Sequence, residues 1–109
     1  MKLYILEDET LILKHLLQVV QSIPYVQVVG NSPEIARAAR EIPALKPDLI
    51  LADIRLKDGD SFRLFQEVGN DGFQVIFLTA YDQYAIQALN MGAFGYLLKP
   101  IDEAALTEM

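Results

Sequence analysis

Two kinds of segment alternate along this chain. Leu3–Leu6, Val26–Val29, Leu49–Ala52, Val75–Leu78 and Phe94–Leu98 are short and almost unbroken in apolar residues. A strand with one wet face alternates apolar and polar residues, so runs like these read as parallel strands covered on both sides. Between them lie longer stretches with helical spacing. Thr10–Ile23 puts Leu13, Leu16, Leu17 and Val20 on one stripe, and Pro33–Ile42 does the same with Ile35, Ala38, Ala39 and Ile42. Ser61–Val68 supplies Phe62, Leu64, Phe65 and Val68, and Asp82–Met91 supplies Ala85, Ile86, Ala88, Leu89 and Met91.

The residues between these segments punctuate them in the same places. Thr10 stands where a cap for the first helix belongs, and Asn31-Ser32-Pro33 is a helix-start signal with Pro33 suited to the first turn. Lys46-Pro47-Asp48 breaks the chain before the third strand, Gly59 and Gly72 mark turns, and Gly92 is placed for a left-handed stop after the fourth helix. The chain therefore reads β-α-β-α-β-α-β-α-β, with a last helix starting around Asp102 that has too few residues left to stand alone and looks cut. Such alternation predicts an α/β fold: a doubly wound parallel sheet with right-handed crossovers and helices on both faces.

Composition narrows this picture. At 109 residues the expectation is one domain, 1–109, with a core that needs no staples. There is no cysteine, which excludes a disulfide framework and a thiolate metal site. No stretch approaches the roughly 18 apolar residues of a membrane span, and the expected location is the cytoplasm. A net charge of −6 argues against direct nucleic-acid binding, which relies on clustered Lys and Arg.

In a doubly wound sheet, ligands bind beyond the carboxyl ends of the strands. Glu7, Asp8 and Glu9 follow the first strand, Asp53 the third, Thr79 and the small Ala80 the fourth, and Lys99 and Pro100 the fifth. Distant parts of the chain thus bring acids, a hydroxyl and an amine to one sheet edge. Crowded carboxylates repel one another and attract a cation, and hard oxygen donors suit Mg²⁺. A carboxylate can also act as a nucleophile toward phosphorus, with the charge on the moving oxygens balanced by a metal ion and an ammonium group. His15, the only histidine, falls on the polar side of the first helix and reads as a solvated surface residue.

Together, Leu6-Glu7-Asp8-Glu9, Asp53-Ile54-Arg55-Leu56, Asp58-Gly59, Leu78-Thr79-Ala80 and Leu98-Lys99-Pro100 resemble the CheY-like receiver domains of two-component response regulators. The resemblance implies a flavodoxin-like five-stranded sheet in the order 2-1-3-4-5. It implies Asp53 as acceptor of a phosphoryl group from a sensor histidine kinase, and Mg²⁺ (with Mn²⁺ as substitute) held by Glu7, Asp8, Asp53 and the main-chain carbonyl of Arg55. Thr79 and Lys99 match the switch hydroxyl and the phosphate-binding lysine, and Tyr96 matches the switch aromatic. Glu7 departs from the pattern, because many members have Asp there.

The same resemblance implies a switch and not a turnover enzyme. Its output is a changed surface on the fourth helix, fifth strand and fifth helix that controls homodimerisation. Tyr81-Asp82-Gln83-Tyr84-Ala85 and Gly92–Pro100 resemble regulators whose receiver precedes a LytTR-type DNA-binding domain, so DNA would be reached only through an output domain outside this sequence. Arg55 and Tyr81 flank the expected site and are candidates for gating water. A Mg²⁺-dependent aspartyl-phosphate phosphatase is the first alternative. It needs a second acid two residues after the nucleophile, where Arg55 stands. A flavin-binding module is the second, and Glu7-Asp8-Glu9 would repel its phosphate.

Overall fold

The computed structural model describes residues 1–68, 72–102, 104 and 106, with Glu67 and Val68 described as backbone alone. Its main sheet contains β1 (Lys2–Leu6), β2 (Gln27–Ser32), β3 (Leu49–Ala52), β6 (Gln74–Thr79) and β7 (Gly95–Leu98), all parallel, in the order β2-β1-β3-β6-β7. Counting main-sheet strands alone, this is the expected 2-1-3-4-5 order. A two-residue hairpin, β4 (Arg55–Leu56) against β5 (Gly59–Asp60), follows β3 and was absent from the sequence reading. Its turn passes through Gly59 at φ +140°, a region closed to residues with a Cβ.

The helices are α1 (Thr10–Gln21), α2 (Ile35–Leu45), α3 (Ser61–Val68) and α4 (Ala85–Asn90). The chain after β7 enters a helical turn at Ala104 and Leu106, where the Asp102 carboxylate accepts from the Ala104 N–H. Two apolar clusters sandwich the sheet. One joins Tyr4, Ile50, Phe77, Ile54 and the α2 and α3 residues Ala38, Ile42, Phe62 and Phe65. The other joins Leu3, Ile5, Leu51, Ile76 and Leu78 to Leu16, Val19 and Val20 of α1 and to Leu106. Alternate residues of β1, β3 and β6 feed opposite clusters, which is why those strands are nearly unbroken in apolar residues.

Several boundaries depart from the sequence reading. Thr10 is the first residue of α1 and not its cap; Glu9 holds the cap position without a side-chain bond. Strand β2 runs on to Ser32 because a bulge at Val29 resets its register, pairing Leu3 with Val28 and Tyr4 with Gly30. A Cβ on Gly30 would meet Leu45 at 2.9 Å and the Tyr4 ring at 3.0 Å. Helix α2 starts at Ile35, past Pro33, because the Asp58 carboxylate accepts from the N–H groups of Ile35 and Ala36 at 3.0 and 3.2 Å. It continues through Pro43 to Leu45, ending at Lys46 in the left-handed region.

The apolar stripe of the fourth helix lies mostly in solvent. In α4 only Ala88 is buried, while Ile86 and Leu89 are 73% and 72% exposed. Six residues give too little helix to turn the whole stripe inward. Gly92 does take the left-handed conformation after it, at φ +81°. His15 is half-buried instead of solvated, lining a cleft with Ile12, Lys99, Pro100 and Ile101. The side chain of Val68 lies outside the described residues. Among the described residues, no helix is long and apolar enough to cross a membrane.

Candidate functional site

Three of the expected site residues are placed by the last rungs of the sheet. The Glu7 N–H donates to the Ser32 carbonyl at 3.0 Å, the Asp53 N–H to the Leu6 carbonyl at 2.9 Å, and the Lys99 N–H to the Thr79 carbonyl at 2.8 Å. Each residue therefore stands where its strand ends, with its main chain locked to the neighbouring strand. Thr79 is the last residue of β6 and pairs with Leu98. Asp53 is held twice more: its carbonyl accepts from the buried Ser61 hydroxyl at 2.7 Å, and its Oδ1 accepts from the Ile54 N–H at 2.7 Å.

The side chains converge. The Lys99 ammonium lies 2.8 Å from Asp53 Oδ2, 2.8 Å from Glu7 Oε1 and 3.4 Å from Glu9 Oε1. Glu7 and Asp53 are only 2% and 5% exposed. Burial holds the Glu7 carboxyl above its usual range, with Lys99 pulling the other way. Burial also works against the Lys99 charge, yet the hydrogen bond to Asp53 and the close contact with the Glu7 carboxylate outweigh it and hold the ammonium well above its ordinary value. Asp8 sits at the rim, its Oδ2 accepting from the Lys57 N–H at 3.2 Å.

The acids at this edge form a donor set for a divalent cation. Glu7, Asp8, Glu9 and Asp53 each offer an oxygen, and these oxygens lie within 4.8 Å of one another. Glu7 Oε1 is buried and touches the ammonium, but no aligned hydrogen-bond donor serves it. Four hard oxygen donors with one incompletely satisfied buried oxygen fit Mg²⁺ or a similar ion. Glu9, which the sequence reading placed in the acid run but not among the ligands, belongs to this cluster. Arg55 follows Asp53 by two residues at the start of β4, and its side chain leaves the cluster, donating from Nη1 to the Tyr84 hydroxyl at 2.8 Å.

Thr79 is fully buried, and its Oγ1 accepts from the Tyr81 N–H at 3.3 Å. The Tyr81 carbonyl in turn accepts a hydrogen bond from the Tyr96 hydroxyl. The main chain of Tyr81 is thus held on one side by Thr79 and on the other by Tyr96. Tyr81 and Tyr84 pack edge to face at 6.0 Å, linking this segment to Arg55. Neither the Ser61 bond to Asp53 nor the pairing of Tyr84 with Arg55 belongs to a sequence motif. A hydroxyl at the first position of α3 carried a weak hint of the former, and nothing local signals the latter.

The carboxyl edge of this parallel α/β sheet thus joins a cluster of four acids to Lys99, with the buried Thr79 at the end of the neighbouring strand. The comparisons identify the family: the model of the response regulator receiver domain matches residues 3–109, and the chain belongs to that family. It is similar to the sensory transduction protein LytT of Enterococcus faecalis, 35% identical over all of this chain and 46% of that protein. It is also similar to the transcriptional regulatory protein BtsR of Escherichia coli, 33% identical over 96% of this chain and 44% of that protein. The chain therefore spans less than half the length of either relative.

Among solved structures, it is similar to the response regulatory domain of mrkE from Klebsiella pneumoniae, with a TM-score of 0.91 and 27% identity over 99% of this chain and 90% of that one. Receiver domains of this family are regulatory components of two-component systems and not classical enzymes.

Proposed function

We propose that the domain, residues 1–109, is a phosphoacceptor switch in which Asp53 takes a phosphoryl group from the phosphohistidine of a sensor kinase. A carboxylate oxygen of Asp53 forms the bond to phosphorus as the phosphorus–nitrogen bond to histidine breaks, leaving a mixed anhydride on Asp53. The observation that carries this reading is the buried Asp53 carboxylate held 2.8 Å from the Lys99 ammonium inside a four-acid cluster. Glu7, Asp8, Asp53 and the main-chain carbonyl of Arg55 would hold Mg²⁺, or Mn²⁺ in its place. Bound there, the ion supplies positive charge that offsets the developing charge on the phosphoryl oxygens.

Lys99 is the residue that follows the charge. Its ammonium pairs with Glu7 and Asp53 before modification and with a phosphoryl oxygen afterward. The new group adds about −1.5 to −2 charges and three acceptor oxygens. Those acceptors take the Thr79 O–H and draw the hydroxyl toward the phosphoryl group, pulling its oxygen away from the Tyr81 N–H that donates to it and so changing the seat of Tyr96. A nearly complete flip needs about 5.5 kcal/mol of differential stabilisation. Three charge-assisted hydrogen bonds of about 2 kcal/mol each supply it.

The output face comprises α4, β7 and the final helix, where Ile86, Leu89 and Leu98 are exposed. Through it the modified domain forms a homodimer and controls an attached DNA-binding output domain in the cytoplasm. The test is intact mass after incubation with acetyl phosphate and Mg²⁺. One phosphoryl increment is expected on the native chain and none on Asp53→Ala; an unmodified native chain, or a variant modified equally well, refutes the reading.

A further inference from the structure

The Arg55 guanidinium is exposed and spends its Nη1 on a neutral phenol, the Tyr84 hydroxyl, at 2.8 Å. That hydroxyl is firmly presented. The Tyr84 ring packs on Phe62 at 6.1 Å and on Tyr81 at 6.0 Å, and Tyr84 is the residue from which α4 begins. The bond joins segments 29 residues apart: the chain just after Asp53, and the first turn of the helix that carries exposed Ile86 and Leu89. The facing residue in the hairpin, Asp60, spends its Oδ1 on the Phe62 N–H at 2.8 Å.

Arg55 is anchored two residues from Asp53, and two residues of chain span at most about 7 Å, within the reach of an arginine side chain. A phenol oxygen offers the guanidinium one uncharged acceptor, whereas phosphoryl oxygens offer opposite charge and can take two parallel N–H bonds from its planar fork. A phosphoryl group on Asp53 is therefore a better partner for Arg55 than Tyr84 is.

We propose that Arg55 is contested by two partners: the Tyr84 hydroxyl holds it while Asp53 is unmodified, and the phosphoryl oxygens draw it away afterward, releasing the first turn of α4. This rests on the reading of Asp53 as phosphoacceptor, and it adds a second arm to the route through Thr79 and Tyr96. Tyr84 is in this account a positioning residue whose hydroxyl opposes activation.

The experiment is titration of the domain with beryllofluoride and Mg²⁺, followed by the fluorine resonance of the bound species and by amide resonances of α4. Tyr84→Phe keeps the ring and removes the competitor, so beryllofluoride binds about two- to tenfold more tightly. Without beryllofluoride, its α4 amides shift part of the way toward the bound wild-type positions. Arg55→Ala loses the guanidinium and binds about tenfold more weakly or worse. The double variant matches Arg55→Ala, because the hydroxyl then has nothing to compete for.

A clasp with a merely structural role moves both single variants in the same direction, and that result overturns the proposal, as does additivity in the double variant or no change in either single one. Thermal melts establish that each variant is folded, and Arg55→Gln replaces Arg55→Ala if the latter is not. A wild-type domain that binds no beryllofluoride overturns the phosphoacceptor reading and this proposal with it. Binding by wild type with the wrong variant pattern overturns this proposal alone.

Discussion

Replacing Lys99 by Met removes the only cation in contact with the buried carboxylates of Glu7 and Asp53 among the described residues, while keeping a side chain of similar length. Each 2.8 Å contact of the ammonium is worth about 6 kcal/mol at an effective dielectric constant of about 20, before the desolvation of the charges is subtracted. The subtraction is large, and deleting one partner of a buried pair costs about 3–5 kcal/mol in net stability. For a domain whose total is about 5–15 kcal/mol, that is a severe loss. Urea denaturation followed by far-ultraviolet circular dichroism in the presence of a chelator measures it, with an unchanged m-value as the check on two-state behaviour.

Adding Glu7→Gln to the variant removes one of the stranded charges and is expected to recover about 1–3 kcal/mol. Adding Mg²⁺ is expected to stabilise Lys99→Met more than the wild type, because no ammonium then competes for the carboxylates. A Lys99→Met domain within about 1 kcal/mol of wild type, or a double variant no more stable than the single one, refutes the electrostatic coupling of these residues.

Other substitutions probe the supports of the site. Ser61→Ala strips the Asp53 carbonyl of its hydroxyl donor and is expected to cost about 1–3 kcal/mol by urea denaturation. Asp58→Ala removes the cap of α2 and is expected to cost about 1 kcal/mol at neutral pH. Burial opposes the Asp58 charge, yet the Ile35 and Ala36 N–H groups outweigh it and hold the carboxyl below its ordinary value. That contribution is present above the unfolded carboxylate value and is lost as pH falls through the folded one, so wild type and variant converge in acid denaturation profiles. Ile86→Ser with Leu89→Ser is expected to leave stability within about 0.5 kcal/mol, since both side chains are exposed. In sedimentation experiments with Mg²⁺ and beryllofluoride it is expected to abolish dimer formation; an unimpaired dimer refutes the assigned face.

The order of strands and helices was legible because each strand holds a short apolar run and the helices between them repeat on a longer period. Leu49–Ala52 and Ser61–Val68 were read with the boundaries they have. The site was legible for a related reason. In a parallel sheet, whatever follows each apolar run arrives at the same edge, so Glu7, Asp8, Asp53, Thr79 and Lys99 are forced into company by topology alone.

What required the folded molecule were contacts between residues that share no local pattern. Helix α2 begins where it does because a carboxylate more than twenty residues downstream caps it. Strand β2 runs past its apolar stretch because a bulge brings Gly30 against Tyr4 and Leu45. The exposure of Ile86 and Leu89, the anchoring of Asp53 by Ser61, and the reach of Arg55 to Tyr84 were likewise decided by packing. Periodicity encodes which side of an element is dry. Hydrogen-bond partners and ion pairs depend on where distant elements come to rest, and only the assembled sheet and its helices supply that distance.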